Sequence, residues 1–181
     1  MTGACFDIAV TGATGITGEA VLDQLLSREF PVGNLHLLGE QDAVGERVPF
    51  GDGSLRVVAA DGFAFPKVQL VFAAGEARDP DLIARAIEAG CHVIDVGGRS
   101  GFETDLPPVV AAVNEHAIAL CATQRFYRNP SCTSILLWKV LKPVYDLCGI
   151  ERVDVTVLQA VSERGRRGIE ELAGQTARLL N

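Results

Sequence analysis

The sequence predicts an α/β fold built on a mostly parallel sheet with helices on both faces. Three observations carry that expectation. Short apolar runs alternate with stretches of helical period along most of the chain, the pattern of parallel crossover units. Residues 68–74 are apolar but for Gln69, as in a strand covered on both faces. Nineteen glycines among 181 residues point to many tight turns between short elements.

Taken in order, residues 6–11 read as a buried strand. Residues 17–28 read as a helix, because Ala20, Val21, Leu22, Leu25 and Leu26 form a stripe at helical spacing. Pro31 follows its end, and 35–38 read as the second strand. Residues 55–59 and 68–74 are the next two. Asp79 or Asp81 starts a helix that runs through Ala89, with Gly90 as its C-terminal stop. Residues 91–96 are then a strand. Pro107 and Pro108 mark irregular chain, and 118–122 read as a short strand. Residues 132–145 read as a helix that Pro143 kinks or ends early. Residues 150–161 alternate as a strand does, and 165–180 close the chain as a helix. There is no internal repeat and no low-complexity linker.

The net charge of −7, from 16 basic and 23 acidic side chains, argues against nucleic-acid binding, which needs basic patches. Arg164, Arg166 and Arg167 are too few to reverse this and read as a solvated helix start. The N-terminus lacks a basic region, and Asp7 breaks its apolar run, so no secretory signal is read. No apolar stretch approaches the roughly 20 residues that span a bilayer. Five cysteines without a C-x-x-C pair suit free thiols in a reducing cytoplasm, and no metal site is expected.

Two short stretches carry chemistry. Gly12-Ala13-Thr14-Gly15-Ile16-Thr17-Gly18 sits at the first strand-to-helix junction. Glycines there let the backbone approach a pyrophosphate, and the amides and dipole of the new helix hold its charge. That is the Rossmann arrangement, although the spacing is G-x-x-G-x-x-G rather than G-x-G-x-x-G; the same loop also serves as a plain tight turn. A ribose-binding acid is expected about 20 residues on, at the end of the second strand. Glu40 fits, with Asp42 close by; carboxylates there favour NAD over NADP because they repel a 2′-phosphate.

The second stretch is Asn129-Pro130-Ser131-Cys132-Thr133-Ser134. Its Asn-Pro favours a turn, and an apolar helical run follows. A thiol at a helix N-terminus has its thiolate stabilised by the dipole and nearby amides, which also steady an oxyanion. Cys132 is therefore the candidate nucleophile. Cys5, Cys91, Cys121 and Cys148 read as inert core residues. His36 and His92 read as packed or surface residues.

These motifs resemble, in order, the aspartate-semialdehyde dehydrogenase family. The glycine loop, the turn Phe30-Pro31-Val32 leading to Leu37-Leu38, the Asn-Pro-x-Cys helix start, and Gln159-Ala160-Val161-Ser162 followed by Gly168-Ile169-Glu170-Glu171-Leu172 all stand in register. The acylglutamyl-phosphate reductases share the architecture with a less similar cysteine motif. The resemblance implies a dinucleotide-binding domain over 1–128 and the start of an α+β catalytic and dimerisation domain over 129–181. It implies NAD(P)-dependent reductive dephosphorylation of an acyl phosphate, β-aspartyl phosphate, through a cysteine thioacyl enzyme, in a cytoplasmic homodimer of amino-acid biosynthesis. Cys132 matches the nucleophile and Gln159 the residue that orients substrate beside it. Thr14, Gly15, Ile16 and Thr17 match the pyrophosphate loop, Ser162 a position near the nicotinamide, and Ala74 and Gly75 backbone that passes the cofactor.

The departures also carry expectations. Asp42-Ala43 stand where the family has Arg-Ser for the 2′-phosphate. Val96-Gly97-Gly98-Arg99-Ser100-Gly101 replace the segment whose Arg binds the substrate phosphate, so Arg99 is the shifted substitute. Glu163 replaces a small residue after Ser162. Such changes are similar to those of the Usg-type paralogues and imply an alternative, a catalytically inactive nucleotide-binding or scaffold relative. The family's acid–base His and carboxylate-binding Arg lie beyond the matched region, and His36, His92 and His116 do not match that His. The chain read alone is therefore expected to be inactive, a piece or a truncated relative.

Overall fold

The computed structural model describes residues 4–65, 67–75, 79–98 and 100–180. Seven strands form one sheet in the order β3-β4-β2-β1-β5-β6-β7. They are β1 (Phe6–Thr11), β2 (Val32–Gly39), β3 (Arg47–Phe50), β4 (Gly53–Ala59), β5 (Leu70–Ala73), β6 (His92–Val96) and β7 (Phe126–Asn129). All pairings are parallel except β3 with β4. The helices are α1 (Ile16–Ser27), α2 (Pro80–Glu88), α3 (Ala117–Gln124), α4 (Cys132–Cys148) and α5 (Gly165–Leu180), with a 3-10 turn at Val161–Arg164.

The sheet is covered on both faces, as the apolar runs require. On one face Leu22 and Leu25 of α1 pack with Ile8, Val10, Leu37 and Val57. On the other, Leu82, Ile83 and Ala86 of α2 and Cys121 of α3 pack with Ala9, Leu38, Val71, Val93 and Phe126. Asp79 is the residue that opens α2: its carboxylate accepts from the Leu82 amide at 2.9 Å. The strand order reverses at β1, which pairs with β2 on one side and β5 on the other. A crevice opens at such a switch point beyond the carboxyl ends of the strands. The glycine loop follows β1 there, and Ala74-Gly75 follow β5.

Several elements depart from the sequence reading. Residues 118–122 lie in the helix α3, not in a strand; an apolar run this short has no period of its own, and packing of Ala117 and Cys121 on the sheet decides it. The strand beside β6 is instead β7, of which only Phe126 is fully buried. Residues 150–160 alternate in sequence but pair with no strand among the described residues. A strand exists only with a neighbour, and Val153, Val155 and Val157 stay about half exposed. α4 runs through Pro143 to Cys148; the proline frees a carbonyl one turn back, and this exposed helix leaves that carbonyl to water. β3 has no counterpart in the sequence reading.

Asp7 pins the first crossover. Its Oδ1 accepts from the Asn34 amide at 2.7 Å and from Asn34 Nδ2 at 3.0 Å, across a register shift between β1 and β2. The backbone bond from Asn34, then its side-chain bond, hold this carboxyl below its ordinary value. The unfolded group titrates near about 3.9. The contribution of Asp7 is therefore complete above that value and is lost as pH falls through the lower folded one. Urea midpoints of the wild type and Asp7→Ala should differ above pH ~5 and converge below it as acid protonates Asp7. A gap that is constant with pH would reject this account.

Candidate active site

The glycine loop is built by contact rather than by composition. Gly12 has φ +62°, and a Cβ there would lie 2.4 Å from the Gly75 Cα. A Cβ on Gly18 would lie 2.1 Å from the Gly12 carbonyl oxygen and 2.7 Å from the Ala13 Cα. The Gly15 amide donates to the Gly12 carbonyl at 3.0 Å, closing the turn. Gly15 is the N-cap of α1 and brings no side chain to cap it. The first-turn amides at Ile16, Thr17 and Gly18 have no intrahelical partners and so face an acceptor from outside the helix. Gly18 is buried, Thr14 and Thr17 are half-buried and Ile16 is exposed. This bare cradle at a helix start fits the diphosphate of a dinucleotide. Ala74 is buried and Gly75 lies against Gly12, so both border the loop. Glu40 and Asp42 are exposed just past the end of β2.

Cys132 is exposed and is the first residue of α4. Ser131 is the N-cap; its Oγ accepts from the Ser134 amide at 3.4 Å and lies 3.0 Å from the Ser134 hydroxyl. The cap sets the start of the helix at Cys132. Gln159 is brought to the same place: its Nε2 donates to the Thr133 hydroxyl at 2.9 Å. Ser162 is exposed in the 3-10 turn that follows. Arg99 lies outside the described residues.

The other thiols are placed differently from one another. Cys91 and Cys121 are buried as expected. The Cys91 Sγ donates to the Val68 carbonyl at 3.0 Å, and burial raises the pKa of both thiols. Cys5 and Cys148 are exposed rather than core. Cys5 precedes β1 at the sheet's rim, and Cys148 ends a helix with no buried residue. His36 packs against Phe63 in a tilted pair, with ring centroids 5.3 Å apart. His92 meets the Tyr127 hydroxyl at 2.9 Å through Nδ1.

Two features lie outside the sequence reading. In β6, the buried Asp95 accepts from the Ser100 hydroxyl at 2.7 Å. Asp95, Glu103, Asp105 and Arg128 also line a cleft of about 650 Å³. The second is Arg166, exposed at a helix start as the sequence suggests but also bonded to the distant glycine loop. Its Nε donates to the Thr14 carbonyl at 3.2 Å and its Nη2 to Glu19 Oε1 at 2.5 Å. The arginine cluster was the visible signal; its partners are 152 and 147 positions away and left no local trace. The stretch from Gln159 to Arg166 therefore touches both candidate sites, and a chain of that length spans at most about 25 Å.

The family model described as semialdehyde dehydrogenase, NAD binding domain, matches residues 7–121. The chain belongs to the semialdehyde dehydrogenase family. It is 42% identical over 177 residues to aspartate-semialdehyde dehydrogenase 2 of Vibrio cholerae serotype O1, covering 97% of this chain and 52% of that protein. It is 40% identical over 177 residues to a USG-1 protein homolog of Pseudomonas aeruginosa, again over 97% and 52%. The crystal structure of aspartate semialdehyde dehydrogenase II from V. cholerae, complexed with ASA, superposes with a TM-score of 0.87 at 39% identity. That match covers 99% of this chain and 54% of that one. The chain thus spans about half the length of these semialdehyde dehydrogenase relatives. Among the described residues no helix is long and apolar enough to cross a membrane, and no cluster of three or more His, Cys, Asp or Glu could hold a metal ion.

Proposed function

We propose that this chain carries the cofactor and nucleophile half of an aspartate-semialdehyde dehydrogenase. The observation that carries the reading is the Gln159–Thr133 hydrogen bond, which sets the Gln159 amide beside Cys132 at the start of α4. The Cys132 sulfur, its proton passed to solvent, attacks the carbonyl carbon of β-aspartyl phosphate. The S–C bond forms, the C–O bond to phosphate breaks, and phosphate leaves with the electron pair. The Cys132 and Thr133 amides, in the first turn of α4, would steady the oxygen that becomes negative in this step. Gln159 offers its amide to the same substrate and holds it with its carbonyl face toward the sulfur. Gly12, Thr14 to Gly18, Ala74 and Gly75 would hold NAD(P)H, whose hydride would convert a thioester to an aldehyde with release of the Cys132 sulfur. Ser162, in the 3-10 turn between Gln159 and Arg166, lines the nicotinamide end. Glu40 and Asp42, at the tip of β2, favour NAD by accepting from ribose hydroxyls. Arg99 is assigned to the substrate's anionic group.

We assign residues 1–128 to the dinucleotide-binding domain and 129–181 to the start of the catalytic and dimerisation domain. α4 has no buried residue and exposes Leu136, Val140 and Leu147. Such a face suits contact with the rest of that domain and a second subunit of a cytoplasmic homodimer. A second reading, an inactive nucleotide-binding or scaffold paralogue, is favoured by Glu163, an acid directly after Ser162 in the 3-10 turn.

The deciding experiment titrates NAD and NADP into a full-length protein that carries these residues and assays it with aspartate semialdehyde and phosphate. Binding with turnover supports the enzyme. Binding without turnover selects the paralogue, and no binding of either nucleotide removes both.

A further inference from the structure

We infer that Arg166 is a ligand of the dinucleotide phosphates, reaching the cofactor loop from the far half of the chain. The inference rests on the reading of the glycine loop as the pyrophosphate seat and adds a residue to it.

The guanidinium leaves the first turn of α5 and crosses to the start of α1. Its bond to the Thr14 carbonyl and its bond to Glu19 fix it in orientation and position, one on each side of Gly15 and Ile16. Those bonds occupy two of its five N–H groups. The side chain is 54% exposed, so the remaining donors are open to a ligand in the mouth of the loop. A planar guanidinium gives phosphate two parallel charge-assisted bonds, which an ammonium cannot do. As a surface ion pair alone the contact with Glu19 would contribute little. A contact that weak yields to a phosphate, while the bond to the Thr14 carbonyl keeps the guanidinium beside the loop.

Glu19 makes the idea testable. A bound diphosphate and the Glu19 carboxylate compete for one guanidinium. If Arg166 binds phosphate, removing the charge of Glu19 helps binding. If Arg166 only pins α5 to the loop, removing Glu19 harms the loop as much as removing Arg166 does.

The test titrates NADP and NAD into the intact polypeptide and into Arg166→Ala, Arg166→Lys and Glu19→Gln. Arg166→Ala should weaken both nucleotides about ten-fold, the loss of a charge-assisted contact near the surface. The deficit should shrink at high salt. Arg166→Lys should recover part of it, and Glu19→Gln should bind as well as the wild type or about three-fold tighter. Unchanged affinity in Arg166→Ala overturns the inference while leaving the glycine-loop reading intact. So does Glu19→Gln weakening to the same degree as Arg166→Ala. A wild type that binds neither nucleotide removes the loop reading and this assignment together. Should Arg166→Ala fail to fold, Arg166→Lys and Glu19→Gln decide: a Glu19→Gln weaker than wild type is the overturning result.

Discussion

Cys132→Ser should lose about 10⁴-fold or more in turnover while keeping nucleotide affinity within about two-fold. The substitution replaces one atom at an exposed position, so packing has no reason to change. The chemistry does change. A serine hydroxyl at a helix start is not ionised near neutral pH, and no base among the described residues touches it, so the attack on an acyl phosphate fails at its first step. A rapid-quench measurement of phosphate release would show a burst equal to the enzyme concentration in the wild type and none in the variant. The remaining thiols are poor replacements. Cys91 and Cys121 are buried, with their thiolates disfavoured. Cys148 is at the opposite end of α4, about 24 Å away along a helix that rises 1.5 Å per residue, far from Gln159 and the first-turn amides. Cys5→Ser and Cys148→Ser should therefore keep full activity. Retained turnover in Cys132→Ser, with a normal melting curve, would end the thioacyl proposal.

What the sequence disclosed about this site follows the range of the forces involved. The glycine loop was legible because its signal is local: a strand, three glycines and a helix within one short stretch. Cys132 was legible for the same reason, through the turn at Asn129-Pro130 and the helix after it. Interactions between distant segments were not. The bonds from Arg166 to Thr14 and Glu19 depend on how α5 meets α1, and nothing near residue 166 announces them. The strand expected at 150–161 fails by the same logic in reverse. Alternation at Val153, Val155 and Val157 states a preference, but pairing needs a second strand. β3 and β7 hid for another reason. Each has four residues; Pro49 interrupts the first, and the second alternates too briefly to show a period. Helix α3 was lost because its eight residues offer too few turns to separate a helix from a strand.

Two glycines in helices should respond to alanine with opposite signs, and the contrast tests the loop directly. Intrinsic propensity favours Ala over Gly in a helix by about 1 kcal/mol. At Gly174 in α5 nothing lies within 4 Å of the added carbon, so Gly174→Ala should stabilise by about 0.5–1 kcal/mol. At Gly18 in α1 the same carbon meets the Gly12 carbonyl oxygen at 2.1 Å and the Ala13 Cα at 2.7 Å. Both are backbone atoms of the loop, and no side-chain rotation relieves them. The loop must move by about 1 Å, at the typical 1–3 kcal/mol of overpacking or somewhat more, which exceeds the propensity gain. Net destabilisation of about 2 kcal/mol lowers the melting temperature by roughly 4–8 °C in a chain of this size. The same displacement carries the Gly12 carbonyl and the amides of Ile16 and Thr17 off the positions that would meet a diphosphate, so nucleotide affinity should fall at least about ten-fold. Thermal melts and nucleotide titrations of the two variants separate the causes. A Gly18→Ala protein that melts like Gly174→Ala and binds nucleotide normally would mean that the loop is looser than its contacts imply, and that the close approach of α1 to β1 is not what shapes the cofactor seat.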